Sequence, residues 1–103
     1  MQIEMQEGQR APSHTTIALK VRYLAAGKPY GDPKAQQSET LTAIKPLVLE
    51  FFGLVEGAVD GGTKTYDFVL NDEVLTNLSS TLGSLAEGKH ELKLDLVERF
   101  EQG

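Results

Sequence analysis

Two segments of the chain alternate strictly between apolar and polar residues: residues 15–23 and residues 91–99. Successive side chains of a β-strand point to opposite faces, so an apolar residue at every second position indicates a half-buried strand. The apolar positions are Ile17, Leu19, Val21 and Tyr23 in the first segment and Leu92, Leu94 and Leu96 in the second. The pattern therefore predicts one strand near each end of the chain.

A third alternating segment covers residues 65–70. Its predicted core-side residues are Tyr66, Phe68 and Leu70. Asn71 and Asp72 follow, and both residue types favour tight turns. The segment is therefore expected to fold back into a short strand over residues 73–75.

Three other segments carry weaker signals. Residues 26–37 contain two glycines and two prolines. Because proline donates no backbone hydrogen bond, a second strand here is expected to be short, irregular or at an edge of the sheet. The glycine-rich residues 54–64 are predicted to form a loop. Residues 76–87 are predicted to form a connection, pinned by Leu78, Leu82 and Leu85.

One helix is predicted in the middle of the chain. Its apolar stripe at helical spacing consists of Leu41, Ile44, Val48 and either Phe51 or Phe52. Ser38 or Thr40 is expected to cap the first turn, and Gly53 is typical of the position after a helix end. Pro46 lacks an amide hydrogen, so the helix either starts late, near Lys45, or is kinked.

The order of these elements predicts an α+β domain in which a helix packs on a sheet. A chain of 103 residues is long enough for one domain and too short for two independent cores. Residues 15–99 are predicted to form the domain and residues 100–103 a C-terminal tail. Residues 1–14 are polar and contain Gly8 and Pro12, which favours a flexible arm, although the fragment MQIEM could instead add an edge strand.

Composition limits the classes of function. The chain has no cysteine, which excludes disulfides, thiolate catalysis and Cys-based zinc sites. A net charge of -5 and a pI near 4.9 disfavour nucleic acid and anionic membrane surfaces as partners. There is no apolar run of membrane-spanning length and no basic, apolar leader. The expected class is a cytoplasmic monomer whose partners are proteins.

Catalytic and metal sites are poorly supported. His14 lies in the predicted arm and His90 in a turn, and neither has a neighbour at metal-ligand spacing apart from Glu91. Asp95 and Glu98 are better explained as a solvated strand face than as an acid–base pair. Asp60 opens an Asp-Gly-Gly loop that lacks the helix and lysine of a phosphate-binding motif. No enzymatic activity, metal site or cofactor is therefore expected.

The chain resembles the ubiquitin family in the order and spacing of its segments. The matching segments are IALKVRY, SETLTAIKPLVLEF, TYDFVLND with the following EVL, TLGSL, and HELKLDLVERF. They cover residues 15–103. The resemblance implies a β-grasp fold, with a mixed sheet of four to five strands packed on one helix.

The resemblance also implies a covalent protein modifier. In that family a C-terminal glycine is activated by an E1-like enzyme, passed to an E2-like enzyme and joined to a target protein, which would make Gly103 the conjugation site. The residues recognised in the tail would be Arg99, Phe100, Glu101 and Gln102. Gln102 replaces the family's second glycine and Glu101 makes the tail acidic, so the better analogue is a divergent prokaryotic ubiquitin-like modifier. Residues 101–103 are then expected to be mobile.

A non-covalent adaptor is the alternative function. Ubiquitin-like domains often bind partners through the outer face of the sheet, where Val69, Val97 and Leu24 would form a small apolar patch interrupted by Asp95. Isolated exposed valines are also ordinary surface. A sulfur carrier ranks third, because that family ends in paired glycines that are absent here.

Overall fold

Six strands and two helices make up the part of the chain that the structure, a computed structural model, describes, which is residues 16–102. In chain order they are β1 (Thr16–Tyr23), β2 (Tyr30–Gln36), α1 (Leu41–Phe52), β3 (Gly57–Val59), β4 (Gly62–Leu70), β5 (Glu73–Val74), α2 (Leu82–Ala86) and β6 (Glu91–Gln102). The predicted N-terminal arm, including His14, and the predicted conjugation residue Gly103 lie outside the described residues.

The strands form one mixed sheet in the order β2-β1-β6-β4-β3, and β5 pairs with β4. The central strands β1 and β6 run parallel, while every other pair is antiparallel. A parallel pair requires a crossover connection between its strands. The chain between β1 and β6 forms this connection, and it includes the helix α1 that packs on the sheet. The predicted α+β fold with a mixed β-grasp sheet on one main helix is confirmed.

The hydrophobic core lies between α1 and one face of this sheet. The fully buried residues are Ile17, Leu19, Val21, Ala35, Leu41, Ile44, Val48, Tyr66, Phe68, Leu82, Ala86, Leu92, Leu94 and Leu96. They include most of the apolar positions that the alternating and helical patterns placed on the core side. Period-two and period-3.6 patterns therefore converge on a single core, as expected for a helix packed on a half-buried sheet.

β2 has the irregularity expected of a strand that contains proline. It lies at the edge of the sheet, and its register shifts from the pair Ile17–Ala35 to the pair Leu19–Asp32. The shift adds one residue to β2 around Pro33, which is a β-bulge. A proline is tolerated there because a bulge at an edge strand leaves a backbone position without a ladder bond.

α1 begins at Leu41, directly after its cap. The Thr40 hydroxyl accepts a hydrogen bond from the backbone N–H of Ala43 at 3.2 Å. The helix ends at Gly53, which has a left-handed φ of 72°. Pro46 lies inside the helix, so the alternative of a late start near Lys45 is wrong.

Two predicted loops contain regular structure. Residues 54–64 hold β3 and the first residues of β4, joined by a two-residue turn of Asp60 and Gly61 in which Gly61 has a φ of 87°. Residues 76–87 hold α2, whose first turn is capped by the Thr81 hydroxyl. β3 has three residues and α2 has five, so neither produces a sequence pattern long enough to predict.

β6 continues three residues beyond the predicted boundary at residue 99. Phe100, Glu101 and Gln102 pair with β4, opposite Lys64, Thr63 and Gly62 respectively. Three of the four residues that were predicted to form the C-terminal tail therefore lie at the end of the terminal strand. Gly62 permits the pairing, since a Cβ at this position would lie 2.0 Å from the carbonyl oxygen of Glu101.

Candidate protein-binding surfaces

The outward-facing side of α1 carries little charge. Its exposed residues are Thr42, Ala43, Pro46, Leu47, Glu50 and Phe51, and only Glu50 among them is ionisable. A surface helix normally presents a polar face to water. We call the exposed stripe formed by Ala43, Leu47 and Phe51, which follow one another at intervals of four residues, the α1 outer face.

The α1 outer face arises from the spacing of apolar residues in the helix. Its stripe is offset by one residue from the inward-facing stripe of Ile44, Val48 and the half-buried Phe52. A shift of one residue turns a helix by about 100°, so the two stripes point in different directions. One stripe packs on the sheet and the other meets solvent, where Leu47 is 49% exposed and Phe51 is 52% exposed.

Aromatic contacts hold the C-terminal part of this face in place. The ring of Phe51 meets the ring of Tyr30 edge-on, with 5.4 Å between the centroids, and also packs on Phe52 at 5.0 Å. Phe52 in turn contacts Tyr23 at 5.5 Å, and Tyr23 contacts the buried Tyr66 at 6.1 Å. The exposed Phe51 is therefore anchored through a continuous row of rings to the core.

The other ionisable residue of α1 is neutralised by an ion pair. The Nζ atom of Lys45 lies 2.8 Å from Oε2 of Glu56, and the same oxygen accepts a hydrogen bond from the backbone N–H of Tyr66 at 2.8 Å. Burial raises the pKa of Glu56, but these hydrogen bonds outweigh that effect and hold the pKa below its ordinary value of 4.5. The pair removes a positive charge from the margin of the α1 outer face.

The surface predicted from the sequence lies on the opposite side of the sheet. Val69 in β4 pairs with Asp95, and Val97 in β6 pairs with Asp67, so the two valines are diagonal neighbours on the outer face. Val69 is half-buried and Val97 is 39% exposed. Leu24 follows the last residue of β1 and is 92% exposed.

Ion pairs surround these valines. Nε of Arg22 lies 2.9 Å from Asp95, and Nε of Arg99 lies 3.1 Å from Asp67. Each valine is therefore paired across strands with a carboxylate that is bound to an arginine. The structure brings Val69 and Val97 together, but within a charged surface and not within a continuous apolar patch.

The residues predicted for tail recognition extend the sheet. Arg99 and Glu101 share its outer face with Val97, while Phe100 is on the opposite face and is 46% exposed. A Cβ on Gly62 would lie 2.9 Å from Cζ of Phe100, so the ring covers this glycine. All four residues from Arg99 to Gln102 pair with β4.

A cavity of about 550 Å³ lies at the other end of the sheet, between the turn after β4, α2 and the start of β6. Its lining includes Asn71, Glu87 and His90. Within residues 16–102, no group of three or more histidine, cysteine or carboxylate side chains is arranged to hold a metal ion. Across the same residues, neither helix has the length and apolar character needed to cross a membrane.

No family model and no curated protein matches this chain. Solved structures do resemble it. Ubiquitin from Caldiarchaeum subterraneum superposes with a TM-score of 0.61 at 19% identity, over 85% of this chain and 99% of the other. The ubiquitin-like domain of yeast Ddi1 gives a TM-score of 0.59 at 18% identity, over 86% and 95%. ATG8 from Trypanosoma brucei gives 0.60 at 11% identity, over 100% and 95%.

The chain therefore has a ubiquitin-like fold, as the resemblance in the sequence predicted. At these identities the likeness defines the fold, and function must be argued from surfaces. The α1 outer face was not predicted, because the helical spacing left open whether Phe51 or Phe52 belongs to the core stripe. The spacing of Leu47 and Phe51, four residues apart and off that stripe, is the signal that could have found it.

Proposed function

We propose that this chain is a non-catalytic, protein-binding ubiquitin-like module that engages its partner through the α1 outer face. The observation that carries the proposal is the nearly uncharged solvent side of α1. Helices that are apolar around most of their circumference are normally covered by other structure. Within the described residues nothing covers this side, so a partner protein is the natural cover.

The energetics favour the two large residues of this face as the anchor. Full burial of a leucine or phenylalanine side chain contributes about 1.5–3 kcal/mol each. Phe51 is already held against Tyr30, so less side-chain entropy is lost when a partner packs on it. The valines of the outer sheet face offer less, because a partner there must also desolvate the carboxylates of Asp67 and Asp95.

The experiment compares two surfaces with matched substitutions. Leu47→Asp should lower the amount of partner protein recovered with the tagged chain from cells that express it naturally, and the affinity for any isolated partner should fall at least about tenfold, or about 1.4 kcal/mol. Val97→Asp, at a residue of similar exposure on the other side of the domain, is the control. A loss only for Val97→Asp would place the binding surface on the sheet, and equal losses for both variants would contradict a site on α1.

Covalent modification through Gly103 is the second proposal. It is supported by the length of β6, whose residues 97–102 continue past the last β1 pair and precede Gly103 in the sequence. It requires that Gly103 end the mature chain. Mass spectrometry should then find target peptides carrying the C-terminal remnant, and Gly103→Glu should abolish them. Adducts that persist in that variant would exclude the mechanism.

A further inference from the structure

β6 is longer than its neighbour β1. The last β1–β6 pair is Tyr23 with Leu96, and β6 continues to Gln102 with only β4 beside it. At about 3.3 Å per residue, this extension projects about 20 Å. Among residues 16–102, no strand pairs with the β1 side of the extension. We call this side, over residues 97–102, the free β6 edge.

The direction of the backbone groups along this edge follows from one hydrogen bond. The N–H of Ala18 in β1 donates to the carbonyl of His90 at 2.9 Å. In a parallel ladder, this bond means that the backbone N–H and C=O groups of the even-numbered β6 residues point toward β1. The backbone groups of the odd-numbered residues point toward β4. The backbone N–H and C=O groups on the free β6 edge are therefore those of Glu98, Phe100 and Gln102.

We propose that two copies of this chain pair antiparallel along their free β6 edges, around a two-fold axis at Phe100. Phe100 then lies opposite Phe100 of the second copy, and Glu98 lies opposite Gln102 of the second copy. Each of these pairs can exchange two backbone hydrogen bonds, which gives about six in total. The two sheets become one continuous sheet, and each edge is covered by an identical edge, as two-fold symmetry requires.

The charges on the edge select this register. Between the hydrogen-bonded pairs, Arg99 lies opposite Glu101 of the second copy, and the symmetry repeats the pair. These are positions without ladder bonds, where Cα atoms approach to about 4.5 Å and side chains meet most closely. A shift by two residues in one direction places arginine opposite arginine, and a shift in the other direction places glutamate opposite glutamate.

The side chains are already placed for this pairing. Arg99 is held on the outer face by Asp67 at 3.1 Å and by Glu101 of the same chain at 3.3 Å, so the pairs with the second copy extend an existing row of alternating charges. On the other face, the half-exposed ring of Phe100 lies over its own Gly62 and would meet the ring of Phe100 in the second copy. The dimer contact involves no residue of the α1 outer face, so its test is independent of the test of the proposed function.

Sedimentation velocity of the full chain tests this inference. A short contact of this kind should give a dimer whose fraction rises between about 10 µM and about 1 mM. Glu101→Arg alone should be monomeric, because two arginines then face two arginines. Arg99→Glu alone should also be monomeric, because glutamates then face glutamates. An equimolar mixture of the two variants should recover the dimer, since every cross-strand pair is again between opposite charges.

The control variant is Lys93→Glu, which changes a β6 charge where β1 covers the edge and should leave the dimer unchanged. The amide spectra of all variants, recorded by NMR, establish that each is folded. The proposal is overturned if the wild-type chain stays monomeric up to about 1 mM, which would leave the edge open to a strand of another protein. It is equally overturned if the folded variants fail to associate when mixed.

Discussion

Lys45 and Glu56 form an ion pair that ties α1 to the edge of the sheet, with 2.8 Å between Nζ and Oε2. The same carboxylate accepts a hydrogen bond from the backbone N–H of Tyr66. Tyr66 lies two residues after Lys64, which is the last β4 residue that pairs with β3. Glu56 therefore satisfies an amide that β3 does not reach. One side chain joins the helix, the loop after it and β4.

The Glu56 carboxylate should make stability depend on pH. Glu56→Gln is expected to lower the free energy of unfolding at pH 7 by about 1–2 kcal/mol, because both side chains of the ion pair are partly exposed. The pKa of Glu56 is lowered in the folded state, so its contribution is present above the ordinary value of 4.5 and is lost as pH falls through the folded-state pKa. Urea unfolding from about pH 7 to about pH 3 measures the difference in the free energy of unfolding between the wild-type chain and the variant. A difference that stays constant over this range would contradict the assignment.

Gly62 should be required for the outer end of the β4–β6 ladder. Gly62→Ala is expected to cost about 1–3 kcal/mol, because the new Cβ would meet the Glu101 carbonyl and force the strands apart. Hydrogen exchange should show the loss of protection first at the amides of Arg99 and Glu101, which face β4. Gly31→Ala is the control, since a Cβ there meets nothing within 4 Å. Similar effects of the two substitutions would show that the close approach is relieved elsewhere.

Pro46 should reduce the stability of α1. It has no N–H to donate to the carbonyl of Thr42, and its side chain is exposed, so little burial is lost on replacement. Pro46→Ala is expected to stabilise the domain by about 1–3 kcal/mol. Thermal unfolding should show a higher Tm, whereas Leu47→Ala on the same exposed side should change it little. A lower Tm for Pro46→Ala would mean that the proline stabilises the folded helix.

Conjugation through Gly103, if it occurs, should require release of the strand end from β4. Lys64 and Phe100 pair at a position without ladder bonds, where Cα atoms lie about 4.5 Å apart and a disulfide fits. The chain has no native cysteine, so a Lys64→Cys, Phe100→Cys variant can form only this bridge within one molecule. The oxidised variant should form no adducts and the reduced variant should form them. Equal adduct formation in both states would show that release is unnecessary.

The sequence predicted the strands that bury one face, because burial of one face requires an apolar residue at every second position. β1, the middle of β4 and the first half of β6 have one buried face, so their alternating residues predicted them and their core sides. Beyond Leu96, β6 exposes both faces, and no apolar period marks it as a strand. The β3–β4 hairpin depends on a two-residue turn and on the close approach at Gly62, which only the folded sheet reveals.

The candidate site was less predictable than the fold. α1 is apolar on both its buried and its exposed side, so the helical period alone left open whether Phe51 or Phe52 belonged to the core. Only packing against Tyr23 distinguishes the half-buried Phe52 from its exposed neighbour. The sequence also placed Val69 and Val97 on one sheet face correctly, but the ion pairs beside them depend on strand register, which the sequence did not specify.

Site-specific photocrosslinking shows directly whether the α1 outer face binds a partner protein. A photoreactive amino acid replaces Leu47 in one version of the chain and Val97 in another, and both are expressed in the cells that naturally produce the protein. We expect a discrete crosslinked protein adduct from position 47 that disappears when Phe51→Asp is added, and no such adduct from position 97. Adducts from position 97 alone would contradict binding through the α1 outer face.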